Sequence, residues 1–157
     1  MPTGSQWLEV CRSNAAIMST CSRRNYFAII LDGTGMVIGT GWNGVPSKLK
    51  HCNEGGCPRL NSDSAPGSPY GNCFAIHAEA NAILHSDWTS RSKIGGSTLY
   101  VNGPPCFDCA KLIANSGLTT VVCSYDETYE EWPKVKAFLH SCDIRVIVEG
   151  ETWNSIR

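Results

Sequence analysis

The pattern of apolar and polar positions along the chain predicts five strands and four helices. A first helix is predicted over about residues 6–19, because apolar residues recur there at helical spacing: Leu8, Cys11, Ala15 and Met18. Short apolar runs bounded by turn residues predict strands over about residues 26–31, 36–42, 97–101, 119–124 and 144–149. Helical patterns between these runs predict further helices over about residues 77–88, 106–116 and 127–140.

The order of these elements predicts the fold class. Asp32-Gly33-Thr34-Gly35 separates the first two strands with residues that favour a tight turn, so these strands are expected to form a hairpin. Each later strand follows a helix, and right-handed crossovers make strands that are joined in this way parallel. We therefore expect an α/β fold, a three-layer α/β/α sandwich in which helices cover both faces of a mixed, mostly parallel five-stranded sheet.

Composition and charge narrow the classes of function. The 157 residues are 42% hydrophobic and 17% charged, as in globular proteins, and the length favours a single domain over residues 1–157. A formal net charge of -1 disfavours a long nucleic acid as partner. The longest apolar run, Tyr26–Leu31, is far shorter than the ~20 residues of a membrane span, and residues 1–5 lack the features of a secretory signal. We therefore expect a soluble, cytoplasmic protein without a membrane partner.

A long irregular segment over about residues 43–73 needs a separate explanation. Gly, Pro, Ser and Asn dominate it, and a structureless segment of this length is uncommon in a compact domain unless it is functional or cross-linked. Cys52 and Cys57 lie within it, and Cys73 lies at its end. The chain has nine cysteines, an odd number, and a reducing compartment favours metal binding over disulfides. We therefore expect a zinc ion to staple this loop.

Two short motifs at predicted helix starts carry the candidate chemistry. Cys106 and Cys109 are three residues apart, so both sulfurs face one point at a helix N-terminus that favours the thiolate form. His77 opens the neighbouring helix, and one His with two Cys leaves the fourth position of a tetrahedral zinc ion open, as in catalytic sites. Glu79 is turned away from that ion and can act as the group that moves protons. His-x-Glu followed by Pro-Cys-x-x-Cys is the signature of zinc-dependent deaminases.

The segments 77–84 and 105–111 resemble the zinc-dependent cytidine deaminase superfamily in sequence. Further features resemble its deoxycytidylate (dCMP) deaminase branch: Gly41-Trp42-Asn43-Gly44, His51-Cys52, Gly56-Cys57 and the spacing of Cys73 and His77. The resemblance covers about residues 19–149. It implies the three-layer, cytidine deaminase-like fold and the zinc-dependent hydrolysis of dCMP to dUMP and ammonia, in homo-oligomers that are often hexamers.

The resemblance also implies roles for individual residues. The catalytic zinc would be bound by the side chains of the two motifs, His77, Cys106 and Cys109. Glu79 would be the proton shuttle that serves N3 and the leaving amine of cytosine, Asn43 would contact the sugar, and the backbone of Ala78 would lie beside the pyrimidine. A second, structural zinc would be bound by cysteines with counterparts in bacterial relatives, with His51 as a substitute for any one of them: Cys21, Cys52, Cys57 and Cys73.

Two points stay open at the level of the sequence. Relatives usually carry Val-Gly-Ala in the first strand where this chain has Tyr26-Phe27-Ala28, so Phe27 either reshapes the pocket or packs in the core. The 5′-phosphate of a nucleotide could be held by any of five basic residues on loops or element ends, for which solvated surface charge is the default interpretation: Arg23, Arg24, Lys48, Lys50 and Arg59.

Two other functions are compatible with the motifs. A deaminase of this superfamily could act instead on a 5-substituted dCMP, a nucleoside or an adenosine in tRNA, and the net charge of -1 disfavours the last. A protein of another class, a non-catalytic zinc module that binds a partner, would contain zinc but release no ammonia, and it would give Glu79 no role.

Overall fold

The computed structural model describes residues 2–62, 72–92 and 95–151. The helices in these ranges are α1 Gly4–Met18, α2 Ala78–Leu84, α3 Trp88–Arg91, α4 Phe107–Ala114 and α5 Trp132–Ser141. The strands are β1 Phe27–Leu31, β2 Val37–Trp42, β3 Thr98–Val101, β4 Thr120–Cys123 and β5 Arg145–Val148. A short 3-10 helix, Cys52–Glu54, lies in the long irregular segment, of which residues 63–71 are outside the described ranges. Within those ranges, no helix has both the length and the apolar character needed to cross a bilayer.

The strands form one mixed sheet in the order β2-β1-β3-β4-β5. β1 runs antiparallel to its neighbours β2 and β3, whereas β3, β4 and β5 are parallel to one another. All strands except β1 therefore point in one direction, and the expectation of a mixed, mostly parallel sheet is confirmed. β1 and β2 form the predicted hairpin, in whose turn the Asp32 carboxylate accepts hydrogen bonds from the backbone N–H groups of Thr34 and Met36 at 2.9 and 3.0 Å.

Helices pack on both faces of the sheet, as expected for a three-layer sandwich. Phe27, Ile29 and Leu31 of β1 form a core cluster with Cys11 and Ala15 of α1. The alternate residues of β1 belong to the larger cluster on the opposite face, which α2, α4 and α5 cover. Successive side chains of a strand point to opposite faces, so a strand that is buried at every position, as β1 is, must lie between two layers.

The helix predicted over residues 77–88 is interrupted, so the prediction of one continuous helix was wrong. α2 ends at Leu84, and α3 begins at Trp88. Asp87 is the physical reason, because its carboxylate accepts the backbone N–H of Ser90 at 2.8 Å and caps a new helix. A capping residue needs extended backbone, which ends any helix that reaches it.

The last helix begins later than predicted, at Trp132 rather than near residue 127. The Asp126 carboxylate accepts hydrogen bonds from the backbone N–H and the hydroxyl of Thr128 at 2.9 and 2.6 Å. Such a turn offers the backbone an alternative to the helix. The chain between β4 and α5 is therefore an irregular loop at the carboxyl end of β4.

A buried arginine joins the carboxyl ends of α2 and α4. The Arg91 guanidinium donates hydrogen bonds to the carbonyl of Ser116, which follows α4, at 2.8 Å, and to the carbonyl of Ile83 in α2, at 3.0 Å. It also donates to the carbonyl and the hydroxyl of Ser86. Carbonyls at helix ends lack partners within the helix, so these charge-assisted bonds fix the position of the two helices relative to each other.

An ion pair joins α1 to the end of β5. The Arg12 guanidinium donates two hydrogen bonds to the Glu149 carboxylate, at 2.8 and 3.2 Å, and the Ser124 hydroxyl donates a third at 3.0 Å. These bonds, and first among them that from Arg12, hold the pKa of Glu149 below its ordinary value of 4.5. The side chains of Arg12 and Glu149 are 39% and 31% exposed, so solvent screens the pair and its contribution to stability is modest.

Replacing Arg12 with Met should lower the free energy of unfolding at pH 7 by at most about 1 kcal/mol, because the ion pair is partly exposed. The folded-state pKa of Glu149 is lowered, so the pair stabilises the fold above the unfolded pKa and this contribution is lost as the pH falls through the folded pKa. Urea unfolding measured from pH 7 downwards should show the difference from wild type shrinking below pH 4.5. Glu9→Gln is the control, because Glu9 contacts the same arginine while 65% exposed, and it should change little. A difference that is equally large at all these pH values would contradict the assignment.

Candidate metal centre

Both metal-ligand motifs lie at helix N-termini. His77 immediately precedes α2 and Cys106 immediately precedes α4, each with extended backbone. Cys109 lies in the first turn of α4 and donates its backbone N–H to the Cys106 sulfur at 3.4 Å. The prediction that Cys106 is part of the helix was wrong, because its sulfur caps the helix in the way that a Ser or Asp oxygen usually does.

The structure brings the three predicted ligands together. The Nδ1 atom of His77 lies 3.4 Å from the Cys106 sulfur and 3.4 Å from the Cys109 sulfur, and the three ligand atoms all lie within 4.8 Å of one another. A tetrahedral zinc ion with bonds of about 2.0 Å to nitrogen and about 2.3 Å to sulfur holds such ligands about 3.5–3.8 Å apart. The donor atoms and their spacing therefore fit a zinc ion with one position left open.

The electrostatics of the three side chains favour a cation. Hydrogen bonds with Cys109 and His77 lower the pKa of the Cys106 thiol, which favours its thiolate form. The contact with Cys106, together with burial, raises the pKa of Cys109. The hydrogen bond with Cys106 also raises the pKa of His77. A sulfur with a lowered pKa favours binding of a divalent cation, and protons that the other ligands carry are released when such an ion binds.

Glu79 lies beside these ligands in the first turn of α2. Only 6% of the residue is exposed, and its carboxyl group is in hydrogen-bonding contact with Cys109. Burial raises the pKa of this carboxyl group. A carboxyl group with an increased proton affinity, next to an open metal position, is suited to accept and return protons.

The metal centre opens into a cavity of about 400 Å³. His77, Glu79 and Cys106 line it, together with residues from the segment before β1, the long irregular segment and the loop between β4 and α5. The volume falls in the range of small-molecule sites, about 300–1,000 Å³.

Asn43 lines this cavity, but most of its side chain is used by the fold. Its Oδ1 accepts hydrogen bonds from the Ser19 hydroxyl at 2.6 Å and from the Tyr26 backbone N–H at 2.8 Å. Its Nδ2 donates to the Arg24 carbonyl at 2.7 Å, which leaves one amide N–H that these bonds do not use. Asn43 thus holds the start of β1 in place, whether or not it also contacts a sugar.

α2 approaches β2 closely at Gly41. A Cβ atom on Gly41 would lie 2.3 Å from the backbone nitrogen of Ala82 and 2.4 Å from the carbonyl oxygen of Ala78. Ala78, whose backbone was predicted to lie beside the pyrimidine, is fully buried against this strand. Asn81 on the same helix donates its side-chain N–H to the Trp42 carbonyl at 2.8 Å. Contact with β2 therefore sets the position of the helix that begins at the metal centre.

The cysteines predicted to bind a structural zinc all line the same cavity: Cys21, Cys52, Cys57 and Cys73. Cys52 and Cys57 are buried together against Val45, and they share a hydrogen bond. Burial raises the pKa of Cys52 to about 11, and the three other cysteines lie near enough to add to this effect. The four thiols therefore form one group on one wall of the cavity.

The sulfurs of this group are not drawn together as closely as the ligands of the His77 site. In the part of the chain that the structure describes, that site alone has three ligand atoms within 4.8 Å of one another. His51, the predicted substitute ligand, is hydrogen-bonded through Nδ1 to the Thr20 hydroxyl at 3.0 Å. The cysteine group is therefore not a closed metal shell in this structure.

Three of the basic residues considered as phosphate ligands line the cavity: Arg23, Arg24 and Arg59. Arg24 forms an ion pair with Asp126 at 3.2 Å and a hydrogen bond with the Tyr26 hydroxyl at 3.3 Å. Lys48 and Lys50 are exposed on the irregular segment. Nothing in the sequence favours any one of the five candidate phosphate ligands over the others. The fold brings three of them, all arginines, to the wall of the cavity.

Several lining residues were not predicted as site residues: Tyr26, Asp126, Thr128 and Tyr129. Only Tyr26 had a signal in the sequence, the departure from Val-Gly-Ala at the start of β1. Phe27 packs in the core beneath α1, where its ring stacks on Trp42 with centroids 6.2 Å apart. The unusual residue that faces the cavity is Tyr26, and Phe27 does not reshape it.

Comparison with known proteins gives a consistent result. Residues 1–125 match the family model described as the cytidine and deoxycytidylate deaminase zinc-binding region. The deoxycytidylate deaminase of Schizosaccharomyces pombe is 33% identical over 146 residues, which cover 92% of this chain and 44% of that protein. The deoxycytidylate deaminase of Mycobacterium phage D29 is 42% identical over 113 residues, which cover 69% of this chain and 84% of that protein. The chain thus spans less than half of the yeast relative and most of the phage relative.

A solved structure agrees with these relatives. The crystal structure of dCMP deaminase from the cyanophage S-TIM5, in complex with dCMP and dUMP, superposes with a TM-score of 0.67 at 25% identity. The match covers 92% of this chain and 94% of that one. The expected cytidine deaminase-like fold is therefore confirmed.

Replacing Gly41 with Ala should lower the free energy of unfolding by about 1–3 kcal/mol or more, because the added Cβ meets backbone atoms of α2 that cannot rotate away. Displacement of α2 should also weaken metal binding, since His77 moves with it. Thermal unfolding and zinc retention after dialysis measure the two effects. Thr40→Ala is the control, because Thr40 points to the opposite face of β2. A Gly41→Ala protein that matched the control in both measurements would show that the close approach is unimportant.

Proposed function

The chain belongs to the cytidine and deoxycytidylate deaminase family, and we propose that it catalyses the hydrolytic deamination of dCMP to dUMP and ammonia. The observation that carries this proposal is a buried Glu79 beside three metal-ligand atoms within 4.8 Å of one another, at the wall of a cavity of about 400 Å³. Relatives named deoxycytidylate deaminase, and a structural neighbour solved with dCMP and dUMP, support dCMP as the substrate.

His77, Cys106 and Cys109 would hold a catalytic zinc ion. When bound, the ion supplies a water molecule with a pKa lowered towards ~7, so that a nucleophile is available at neutral pH. The two helix N-termini favour the thiolate form of the sulfurs. α2 keeps the imidazole nitrogen 3.4 Å from both sulfurs, a spacing that suits one zinc ion held by all three ligands.

Glu79 moves the protons of the reaction. Hydrolysis adds the oxygen of water to C4 of the cytosine and releases the amino group, so both protons of the water must be transferred. Glu79 delivers one to N3, where it stays in the uracil product, and the other to the departing amine, which leaves as ammonia. The raised pKa of this buried carboxyl group supports the role, since the group must bind each proton and then give it up.

The arginines of the cavity support a nucleotide as substrate rather than a nucleoside. Arg23 and Arg59 line the cavity with Arg24, whose charge Asp126 balances in part. Guanidinium groups suit the 5′-phosphate because they donate paired, charge-assisted hydrogen bonds to its oxygens. The unused amide N–H of Asn43 is available for the sugar of the same molecule.

A second, structural zinc is a further part of the proposal. Cys52 and Cys57 are already in contact and would supply two ligands, and Cys21 and Cys73 would complete a closed shell by moving towards them. Such an ion would order the irregular segment over about residues 43–73 and tie it to the chain just before α2. A closed shell leaves no position for water, so this ion would stabilise the structure without taking part in the reaction.

We also propose that residues 1–157 form a single deaminase domain that assembles into homo-oligomers in the cytoplasm. None of the nine cysteines, all of which the structure describes, forms a disulfide, as is usual in a reducing compartment. Leu84 and Trp88 are 71% and 54% exposed on neighbouring helices, which is apolar area that a second copy would cover. Light scattering on the purified protein measures the number of chains, for which a hexamer is the expected result.

Replacing Glu79 with Gln should lower kcat for dCMP by at least ~100-fold, because Gln has nearly the same shape but its amide cannot take up a proton and give it back, and positioned proton transfer contributes about 10²–10⁴-fold. The zinc content should stay at the wild-type value. Ammonia release and metal analysis measure the two quantities. Glu9→Gln, on the exposed side of α1, is the matched control and should keep full activity. A Glu79→Gln protein within a few-fold of wild type would remove this residue from the mechanism.

The kcat/KM for dCMP should exceed that for deoxycytidine by about 100-fold or more, because a charge-assisted phosphate contact stabilises the transition state as well as the substrate. Ammonia release from dCMP, deoxycytidine, cytidine, dCTP, 5-methyl-dCMP and 5-hydroxymethyl-dCMP under identical conditions measures the preference. Equal activity on the nucleoside would show that the cavity has no phosphate site. Zinc-loaded protein that releases ammonia from none of them would favour a non-catalytic zinc module.

The native protein should contain two zinc ions per chain. Cys57→Ser should remove the structural ion and lower the thermal stability, whereas Cys106→Ala should remove the catalytic ion and abolish turnover, since each substitution takes one ligand from a different shell. Metal analysis of protein purified without chelators measures the count. One zinc per chain in the wild type, lost in Cys106→Ala and kept in Cys57→Ser, would show that the cysteine group binds no metal.

A further inference from the structure

The ring of Tyr26 lies between the cavity and the segment that leads to Cys106. Tyr26 lines the cavity together with His77 and Glu79. A Cβ atom on Gly103 would lie 2.4 Å from Cε1 of this ring and 3.3 Å from both Cδ1 and Cζ, so the ring rests directly on the Gly103 backbone. Gly103 precedes Cys106 by three residues, so the ring rests on the segment that leads to this metal ligand.

The position of this ring is fixed at both ends. The backbone N–H of Tyr26 donates to Asn43 Oδ1 at 2.8 Å, and its carbonyl accepts the backbone N–H of Asn43 at 3.2 Å. Its hydroxyl is hydrogen-bonded to the Arg24 guanidinium at 3.3 Å, and that guanidinium is ion-paired with Asp126 at 3.2 Å. The backbone that carries the ring is therefore held by Asn43, and the hydroxyl links the ring through Arg24 to the loop after β4.

We propose that Tyr26 is a specificity-determining residue that excludes substituents from C5 of the pyrimidine. The inference rests on the proposed deamination of dCMP. C5 is bonded to C4, the carbon that must reach the metal centre, so any group on C5 lies close to the metal ligands. The Tyr26 ring lines the same cavity as His77 and Glu79 and rests on the segment that leads to Cys106, so it is the side chain that we expect a methyl group on C5 to meet.

Kinetics with two substrates test the inference. Wild-type kcat/KM for dCMP should exceed that for 5-methyl-dCMP by about tenfold or more, the usual effect of one methyl group in a fitted pocket. Tyr26→Val removes the ring and should bring this ratio close to one, mainly by increasing the activity on 5-methyl-dCMP. Tyr26→Phe keeps the ring and should keep the wild-type ratio. Phe27→Leu is the matched control, because the neighbouring ring stacks on Trp42 away from the cavity, and it should also keep that ratio.

Binding of two nucleotides that are not turned over separates this inference from the proposed activity. dUMP and dTMP differ only by the methyl group on C5, and calorimetry should give the wild type a Kd for dTMP about tenfold or more above that for dUMP. Tyr26→Val, or Tyr26→Leu if the Val variant does not fold, should bring the two Kd values together. A wild type that releases no ammonia from dCMP contradicts the proposed activity, and the binding ratios still decide the role of Tyr26. Equal Kd values in the wild type, or ratios in Tyr26→Val and Tyr26→Leu that match the wild type, would overturn the inference.

Discussion

The close contact between α2 and β2 is the constraint on which the metal centre depends. A Cβ on Gly39 would lie 2.7 Å from the carbonyl oxygen of Ala82, and one on Gly41 would meet the backbone at Ala78 and Ala82. Both alanines are fully buried, and the facing residues of β2 are glycines, so the backbone of the helix packs against the backbone of the strand with no large side chain between them. Backbone contacts have no alternative rotamers, and the residue at the start of the helix, His77, is therefore placed by the sheet rather than by its own side-chain preferences.

The position of α4 is set from its far end. α2 and α4 are only seven and eight residues long, so each is a rigid helix of about 10–12 Å. Fixing the C-terminus of such a helix therefore also restricts the position of its N-terminus. Arg91 binds the carbonyl of Ile83 in the last turn of α2 and the carbonyl of Ser116 just beyond α4, while the N-termini converge on the metal ligands. This arginine lies in α3, which exists because Asp87 caps a new helix. A break in the predicted helix is thus the feature that supplies the link between the two ligand-bearing helices.

Local chemistry made part of the site predictable from sequence. Cys106 and Cys109 are placed by helix geometry within one turn, and the ordering of strands and helices places His77 beside them, so both the fold class and the ligand trio follow from short-range patterns. The element boundaries failed where a side chain competes for the backbone, at Asp87 and Asp126, because whether such a cap forms depends on what the rest of the fold allows.

Short-range patterns could not predict which residues from distant parts of the chain line the cavity. Arg23 and Arg24 precede β1 and Arg59 lies in the irregular segment, and no spacing rule shows that they meet in space. Tyr26 stood out only as a departure from related sequences. Phe27 packs beneath α1, so its neighbour Tyr26 faces the opposite side of the sheet. Burial on both faces of a central strand leaves no alternation of polar and apolar residues from which its direction could be read.

Asn43 connects two parts of the chain beside the cavity, the end of α1 and the start of β1, through hydrogen bonds of one side chain. Its amide binds the Ser19 hydroxyl, the Arg24 carbonyl and the Tyr26 backbone N–H, so one side chain joins the end of α1 to the start of β1. Loss of this amide would leave the backbone N–H of Tyr26 without its partner, which is costly at a half-buried position. A substitution of Asn43 therefore also disturbs the start of β1, on which the ring of Tyr26 stands.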